Sequence, residues 1–134
     1  MAQSHIEHLD PGSLRPWAKN ARTHSKKQLR QIAKSIETFG FTNPVLIDQH
    51  GTILAGHGRV EAAKSLGMAA VPCLRIEHMT EAEKRAYVIA DNKLALNAGW
   101  DEELLAQELQ GLLATENLSF DLDVIGVEVA EIAS

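Results

Sequence analysis

Residues 43–67 read NPVLIDQHGTILAGHGRVEAAKSLG, and this stretch decides the fold. Asn43-Pro44 forces an extended start, because the proline ring disfavours helix at the residue before it. Val45-Leu46-Ile47 then reads as a short strand. Gln49-His50-Gly51 supplies turn residues, and Thr52-Ile53-Leu54-Ala55 is the returning strand of a hairpin. Gly56-His57-Gly58 breaks that strand, a helix is expected from about Arg59 to Leu66, and Gly67 closes it. Glycines at a strand-to-helix corner let the backbone approach a ligand closely. The helix behind them presents unanswered N–H groups and the positive end of its dipole. Such a corner is an anion site, with phosphate its commonest occupant, and Arg59 adds a planar fork suited to phosphate oxygens. The spacing is neither a Walker loop nor a dinucleotide fingerprint, since it lacks both Gly-Lys-Ser/Thr and a third glycine. On spacing alone, a tight turn with a surface arginine is the better reading.

Working outward, residues 1–13 read as a flexible leading segment, and Leu14 to His24 is basic and broken by proline. Ser25 is placed to cap a helix, with Gln28 as capping-box partner. Leu29, Ile32, Ala33, Ile36 and Phe39 recur at helical spacing until Gly40. Val71 to Ile76 reads as a third strand. Thr80 and Glu83 form a second capping box, opening a helix that carries Ala86, Val88, Ile89 and Ala90 and then Asp91-Asn92-Lys93. After a break near Asn97-Ala98-Gly99, Asp101 caps a helix with Leu104, Leu105, Leu109, Leu112 and Leu113 on one stripe. Phe120 to Ser134 is acidic and alternating. The order is helix, hairpin, helix, strand, helices, an α+β layout. Residues 14–97 form the core unit and 98–134 a helix with an acidic tail.

The chain has 134 residues with 45% hydrophobic and 23% charged, ordinary globular values. One cysteine, Cys73, excludes an internal disulfide and a four-cysteine zinc site. His5 and His8 have no third ligand nearby to make a metal site. Apolar runs fall short of the ~18 residues of a membrane span, and the first ten residues lack the pattern of a secretory signal. A cytoplasmic protein without membrane contact is expected. Net charge is −5, yet seven of the 13 basic residues lie between Arg15 and Lys34. From Leu94 to Ser134 there are nine acidic residues and no basic ones. The basic stretch reads either as a phosphate-contacting surface or as the solvated face of the first helix.

The run Ser35-Ile36-Glu37-Thr38-Phe39-Gly40, then Asn43 to Ile47, Leu54 to Arg59 with Ala62-Ala63-Lys64, Gly67 and Val71-Pro72, resembles the N-terminal domain of ParB-type partition proteins. That domain belongs to the ParB/sulfiredoxin superfamily, whose fold is a small mixed sheet flanked by helices. Ala90 to Asn97, with Phe120-Asp121-Leu122-Asp123 and Gly126, resembles a branch found in phages and mobile elements, often fused to DNA-modification methyltransferases. The resemblance implies a site for CTP or ATP with Mg²⁺. Asn20, Arg22 and Thr23 match the loop that meets nucleotide. Gly56, His57, Gly58 and Arg59 match the phosphate motif. Asp91 and Asn92 match the pair facing the triphosphate, with Asp91 the implied Mg²⁺ ligand and an acid and an amide the oxygen donors that ion prefers. The family's Glu and Arg in the phosphate motif are His57 and Gly58 here. A further family Arg is Glu61, and another is Ala95.

The resemblance implies a nucleotide switch or adaptor in DNA segregation or modification. DNA would be reached through a partner or fused domain, with a homodimer and a methyltransferase as further partners. An NTPase or metal-dependent nuclease is the enzymatic alternative, with His57, whose ordinary pKa is about 6.5, as general acid or base. A degenerate protein-interaction scaffold is a third. Sulfiredoxin chemistry needs an accessible thiol at the glycine corner, where this chain has His57.

Overall fold

The computed structural model describes residues 5–18, 24–97 and 101–115, save the side chains of the last three residues of the middle stretch. The elements are β1 (Ile6–Leu9), a 3₁₀ turn at Pro11–Ser13, α1 (Lys26–Phe39), β2 (Val45–Ile47), β3 (Ile53–Ala55), α2 (His57–Ser65), β4 (Val71–Arg75), α3 (Glu81–Asn97) and α4 (Glu102–Ala114). The four strands form one mixed sheet in the order β1-β4-β2-β3. β2 and β3 are the hairpin, antiparallel, while β2 and β4 run parallel and β1 closes the other edge antiparallel to β4. The α+β class expected from sequence is the class observed.

Local chemistry explains the helix ends. Ser25 Oγ accepts from the Gln28 N–H at 3.0 Å, and Gln28 Oε1 accepts from the Ser25 N–H at 3.3 Å. Thr80 and Glu83 repeat the box at 3.2 and 2.9 Å. Asp101 Oδ1 takes the Leu104 N–H at 3.1 Å. Gly40 ends α1 at φ 85°, a conformation that glycine adopts without strain.

Besides one-residue differences at the ends of α2 and β4, three boundaries differ from the sequence reading. Residues 6–9, read as part of a flexible segment, form β1. They are held by pairing with β4 and by Arg75, whose guanidinium donates to both Glu7 oxygens at 2.9 and 3.1 Å. These partners are 68 residues apart, so no local pattern announces them. The hairpin's second strand begins at Ile53, because Thr52 bridges Arg15 instead. Helix α2 starts at His57 and not Arg59: Gly56 at φ 108° completes the turn in one residue, and its carbonyl already accepts from the Val60 N–H at 3.0 Å.

The core is Leu14, Val45, Ile47, Ile53, Val60, Ala63, Val71 and Cys73, drawn from strands, α2 and the segment before α1. Beside it, where β2 ends, lies a buried charge pair. Lys84 of α3 is fully buried and donates to Asp48 Oδ2 at 3.1 Å and to Glu81 Oε1 at 2.8 Å. Asp48 Oδ1 accepts from the His50 and Thr52 N–H groups at 2.8 and 2.9 Å. Burial would raise the Asp48 carboxyl, but the Thr52 and His50 donors and Lys84 outweigh it and hold it below the ordinary carboxylate range. This pair fastens the start of α3 to the hairpin, so the far end of α3 is carried to the glycine corner.

Candidate functional site

A cavity of about 490 Å³ opens where β3 turns into α2. That volume falls within the roughly 300–1,000 Å³ of small-molecule sites. Its wall is Gly56, His57, Gly58 and Arg59 from the corner, His24 and Ile32 from the α1 side, Asn43 and Pro44 from the approach to β2, and Asp91 and Asn92 from α3. Six of the nine site residues expected from sequence thus share one cavity. Asn20, Arg22 and Thr23 lie outside the described residues, as do Trp100 and the tail from 116 onward.

Arg59 is the centre of the site. Its Nη2 donates to the Pro44 carbonyl at 3.2 Å, while Nε is buried with no partner among the described residues. The guanidinium lies against Gly56, where an added Cβ would sit 2.9 Å from Nη2. Burial lowers the Arg59 pKa and the Asp91 carboxylate offsets part of that, so the group stays charged. A charged fork with an unanswered buried nitrogen at a helix start is set up for an anion.

His57 is half-buried, and its Nε2 accepts from the Trp17 N–H at 3.1 Å. A backbone N–H can only donate, so Nε2 is unprotonated and the ring's proton is on Nδ1. Burial lowers the His57 pKa, nearby His24 lowers it further, and Glu61 pulls the other way. The ring therefore pins the segment leading into residues 19–23 to the start of α2, and Nε2 is committed to that bond.

At Gly58 there is no room for a side chain: a Cβ would meet Ile32 Cδ1 at 3.0 Å and the His24 ring at 3.1 Å, so α1 and His24 lie close against α2. Asn92 Nδ2 donates to the Val88 carbonyl at 3.1 Å, within its own helix. Cys73 is buried in the sheet, donates to the Val71 carbonyl at 3.5 Å, and has its thiol pKa pushed up by burial. It is a core residue, remote in character from a reactive thiolate.

Sequence reasoning missed His24, Asn43 and the Pro44 carbonyl as parts of this wall. Asn43-Pro44 signalled a strand start, and nothing local to His24 or Trp17 points to contact with Gly58 or His57, more than 30 positions on. The leucine stripe of α4 is split, with Leu109 buried and Leu104 and Leu113 exposed.

The family follows from comparison. The chain matches the ParB N-terminal domain model over residues 1–93, and it belongs to that family. It is 53% identical over 72 residues to an Escherichia coli protein named ParB-like nuclease domain-containing protein YnaK, spanning 54% of this chain and 83% of that one. Its fold is similar to the C-terminally truncated Caulobacter crescentus ParB complexed with CTP-γ-S: TM-score 0.76, 21% identity, 96% of this chain and 75% of that one. The same truncated ParB complexed to its centromeric parS site gives TM-score 0.56 at 18% identity, over 95% and 68% of the two chains. Arabidopsis thaliana sulfiredoxin gives TM-score 0.52 at 20% identity, over 63% and 97%. At these identities the structural likeness is one of fold. Among the described residues no helix is long and apolar enough to cross a membrane.

Proposed function

We propose that this chain is a nucleotide-binding module of the ParB type, taking CTP or ATP at the glycine corner and acting as a switch or adaptor in DNA segregation or DNA modification. The observation that carries the reading is Arg59, a charged fork with its buried Nε unanswered, facing a cavity of about 490 Å³. An incoming phosphate would be met by the Arg59 fork, drawn off Gly56, and by the N–H groups at the start of α2. The likeness to a ParB solved with a CTP analogue supports nucleotide as the source of that phosphate. Asp91 and Asn92 offer the hard oxygen donors that Mg²⁺ prefers, and the ion would neutralise phosphate charge. Asn20, Arg22 and Thr23 complete the reading as the loop that meets nucleotide, and His57 is cast as its anchor point. DNA, a methyltransferase and a second copy of the chain are the proposed partners, with sequence-specific DNA reading supplied by a partner or fused domain in the cytoplasm. The parS complex of the ParB neighbour supports the DNA half.

The test is calorimetry and thermal shift with CTP, ATP, GTP and UTP, with and without Mg²⁺, using Arg59→Ala as control. Binding to one or two nucleotides is expected, weakened at least tenfold in Arg59→Ala while its melting stays cooperative. A nucleotide at about 100 times its Kd stabilises the fold by ~2.7 kcal/mol. A melting temperature indifferent to all four nucleotides would defeat the reading and leave the scaffold alternative. Mg²⁺-dependent nicking of DNA, lost in Asp91→Ala, would move the site to the nuclease alternative that YnaK's name suggests.

A further inference from the structure

His24 reaches the glycine corner from outside the motif that forms it. It is half-buried and lines the same cavity as Arg59 and Asp91. The Cε1–Nε2 edge of its ring faces the first turn of α2, and both atoms lie 3.1 Å from where a Cβ on Gly58 would sit. The approach is built into α1. The residue after His24 is Ser25, the N-cap of α1, fixed by its box with Gln28. Ile32 of the same helix meets the same point beside Gly58 at 3.0 Å. Gly58 is buried, and its bare Cα is what admits the ring.

Among the described residues the cavity wall is poor in positive charge for a phosphate site. Arg59 is its permanent cation, and Asp91 stands close enough to offset it. The other wall groups that can turn positive are His24 and His57. His57 accepts the Trp17 N–H on Nε2, so that nitrogen cannot donate without giving up the bond. The two rings are near enough that a charge on one disfavours a charge on the other. Helix α2 has no side-chain cap, whereas Ser25, Thr80 and Asp101 cap α1, α3 and α4. The edge of His24 thus lies beside uncapped first-turn N–H groups and in one wall with the Arg59 fork.

From this we infer that His24 is a phosphate-binding residue of the corner, donating to the ligand from the ring edge that faces α2 and sharing the phosphates with Arg59. The inference rests on the nucleotide reading of this cavity and adds to it a contact from the α1 side. A neutral imidazole donates from one nitrogen and a charged one from both, so a bound phosphate favours the charged ring. The charged and titratable groups around His24 are His57, Arg59 and Glu61 of α2 and Asp91 of α3, with Lys27 one turn into α1. Asp91 and Glu61 favour a positive ring and the cations oppose it. A phosphate joins the favourable side, so His24 tightens binding as pH falls.

The experiment is calorimetry of the full chain with CTP, ATP and tripolyphosphate, each with and without Mg²⁺, on the parent, His24→Ala, His24→Gln and His24→Arg, with a melting curve for each. The alanine variant should lose about tenfold in affinity, the contribution of one hydrogen bond to a charged group, and still melt cooperatively. His24→Arg should recover parental affinity. Between about pH 8 and 6 the parent should gain about fivefold on His24→Gln, since the titrations of the ligand and of His57 are common to both and cancel. Parental affinity in His24→Ala overturns the inference and leaves the nucleotide site standing. So does a loss that His24→Arg fails to recover while parent and His24→Gln keep parallel pH profiles, because a ring that only packs against Gly58 behaves in that way. Tripolyphosphate bound by the parent and weakened in His24→Ala, with neither nucleotide bound, upholds His24 and defeats the nucleotide reading. A parent that binds none of the three overturns both. Gln and Arg are long enough to fill the space beside Gly58, so an alanine variant that fails to fold leaves those two to decide.

Discussion

Lys84 is fully buried and Arg59 partly so, and the surroundings of these two cations differ. Lys84 meets Asp48 and Glu81, and the second Asp48 oxygen is taken by two backbone N–H groups. Arg59 meets the Pro44 carbonyl and keeps a buried Nε without a partner among the described residues. The first corner is closed by the chain itself and needs nothing further. The second has a donor that the described residues leave unanswered, and the proposed function has a ligand complete it. A buried polar group left unanswered costs free energy, so it persists where a ligand can recover that cost. The buried pair and the cavity thus lie towards two different ends of α3: Lys84 near its start and Asp91 in the cavity wall.

The sharpest way to break the comparison is Lys84→Ala. Removing one member of a buried pair leaves Asp48 charged with its Oδ2 unanswered, a loss of roughly 3–5 kcal/mol. Urea unfolding should show that loss, and the alanine variant is expected to unfold close to or below ambient temperature. Lys84→Met fills the volume and should lose less. The pH dependence carries a signature. Asp48 is depressed in the folded state, so its stabilisation is present above the ordinary value of about 3.9 and is lost as pH falls through the folded value. Lys84 is raised, chiefly by its bond to Glu81 with burial opposing, so its stabilisation holds below about 10.4 and is lost as pH climbs through the folded value. A Lys84→Met variant should lack that alkaline decline. If Lys84→Ala unfolds with parental free energy, the closed corner is not what holds α3.

Gly56→Ala tests the other corner with a smaller effect. An L-residue at φ 108° is strained by ~1–2 kcal/mol, and the new Cβ would push the Arg59 fork from 2.9 Å contact. A modest drop in melting temperature is therefore expected, together with weaker nucleotide binding than that drop explains. Loss of stability with undiminished affinity would separate Arg59 from the ligand.

These corners were not equally legible. The Ser25–Gln28 and Thr80–Glu83 boxes, the hairpin and the glycine turn all depend on neighbours within a few residues, and each is readable in the order of side chains. The reading of the corner as an anion site rests on the same local order. What completes the corner was not. Pro44 reaches Arg59 across 15 residues, and Trp17 reaches His57 across 40. β1 depends on Glu7 meeting Arg75 across 68. Lys84 was unreadable in a different way: on a polar helix it looks like any solvated lysine, and only the approach of Asp48 shows it to be interior. The family resemblance placed Asp91 and Asn92 at the cavity, which periodicity could not do. It gave no reason for Gly58, whose missing side chain is explained by Ile32 and His24 at 3.0 and 3.1 Å.

The smallest expected effect is the most informative about how the open corner is kept open. His57 Nε2 accepts the Trp17 N–H, and the ring's pKa is lowered by burial and by His24. As pH falls below about 6.5 the unfolded chain takes up a proton that the folded ring resists, so stability declines until the folded value is passed and then levels off. The decline attributable to this ring should not exceed the ~0.5–1.5 kcal/mol of one neutral hydrogen bond. His57→Gln keeps an acceptor without the titration, so subtracting its stability profile from the parent's between about pH 7.5 and 5 isolates the ring from His24 and the carboxylates. A phosphate bound at the corner favours the charged ring, so nucleotide should raise the folded pKa and release Trp17 at a higher pH than in its absence. Matching parental and His57→Gln profiles would mean that the ring does not hold the segment before α1, and that the open corner rests on Arg59 and the glycines.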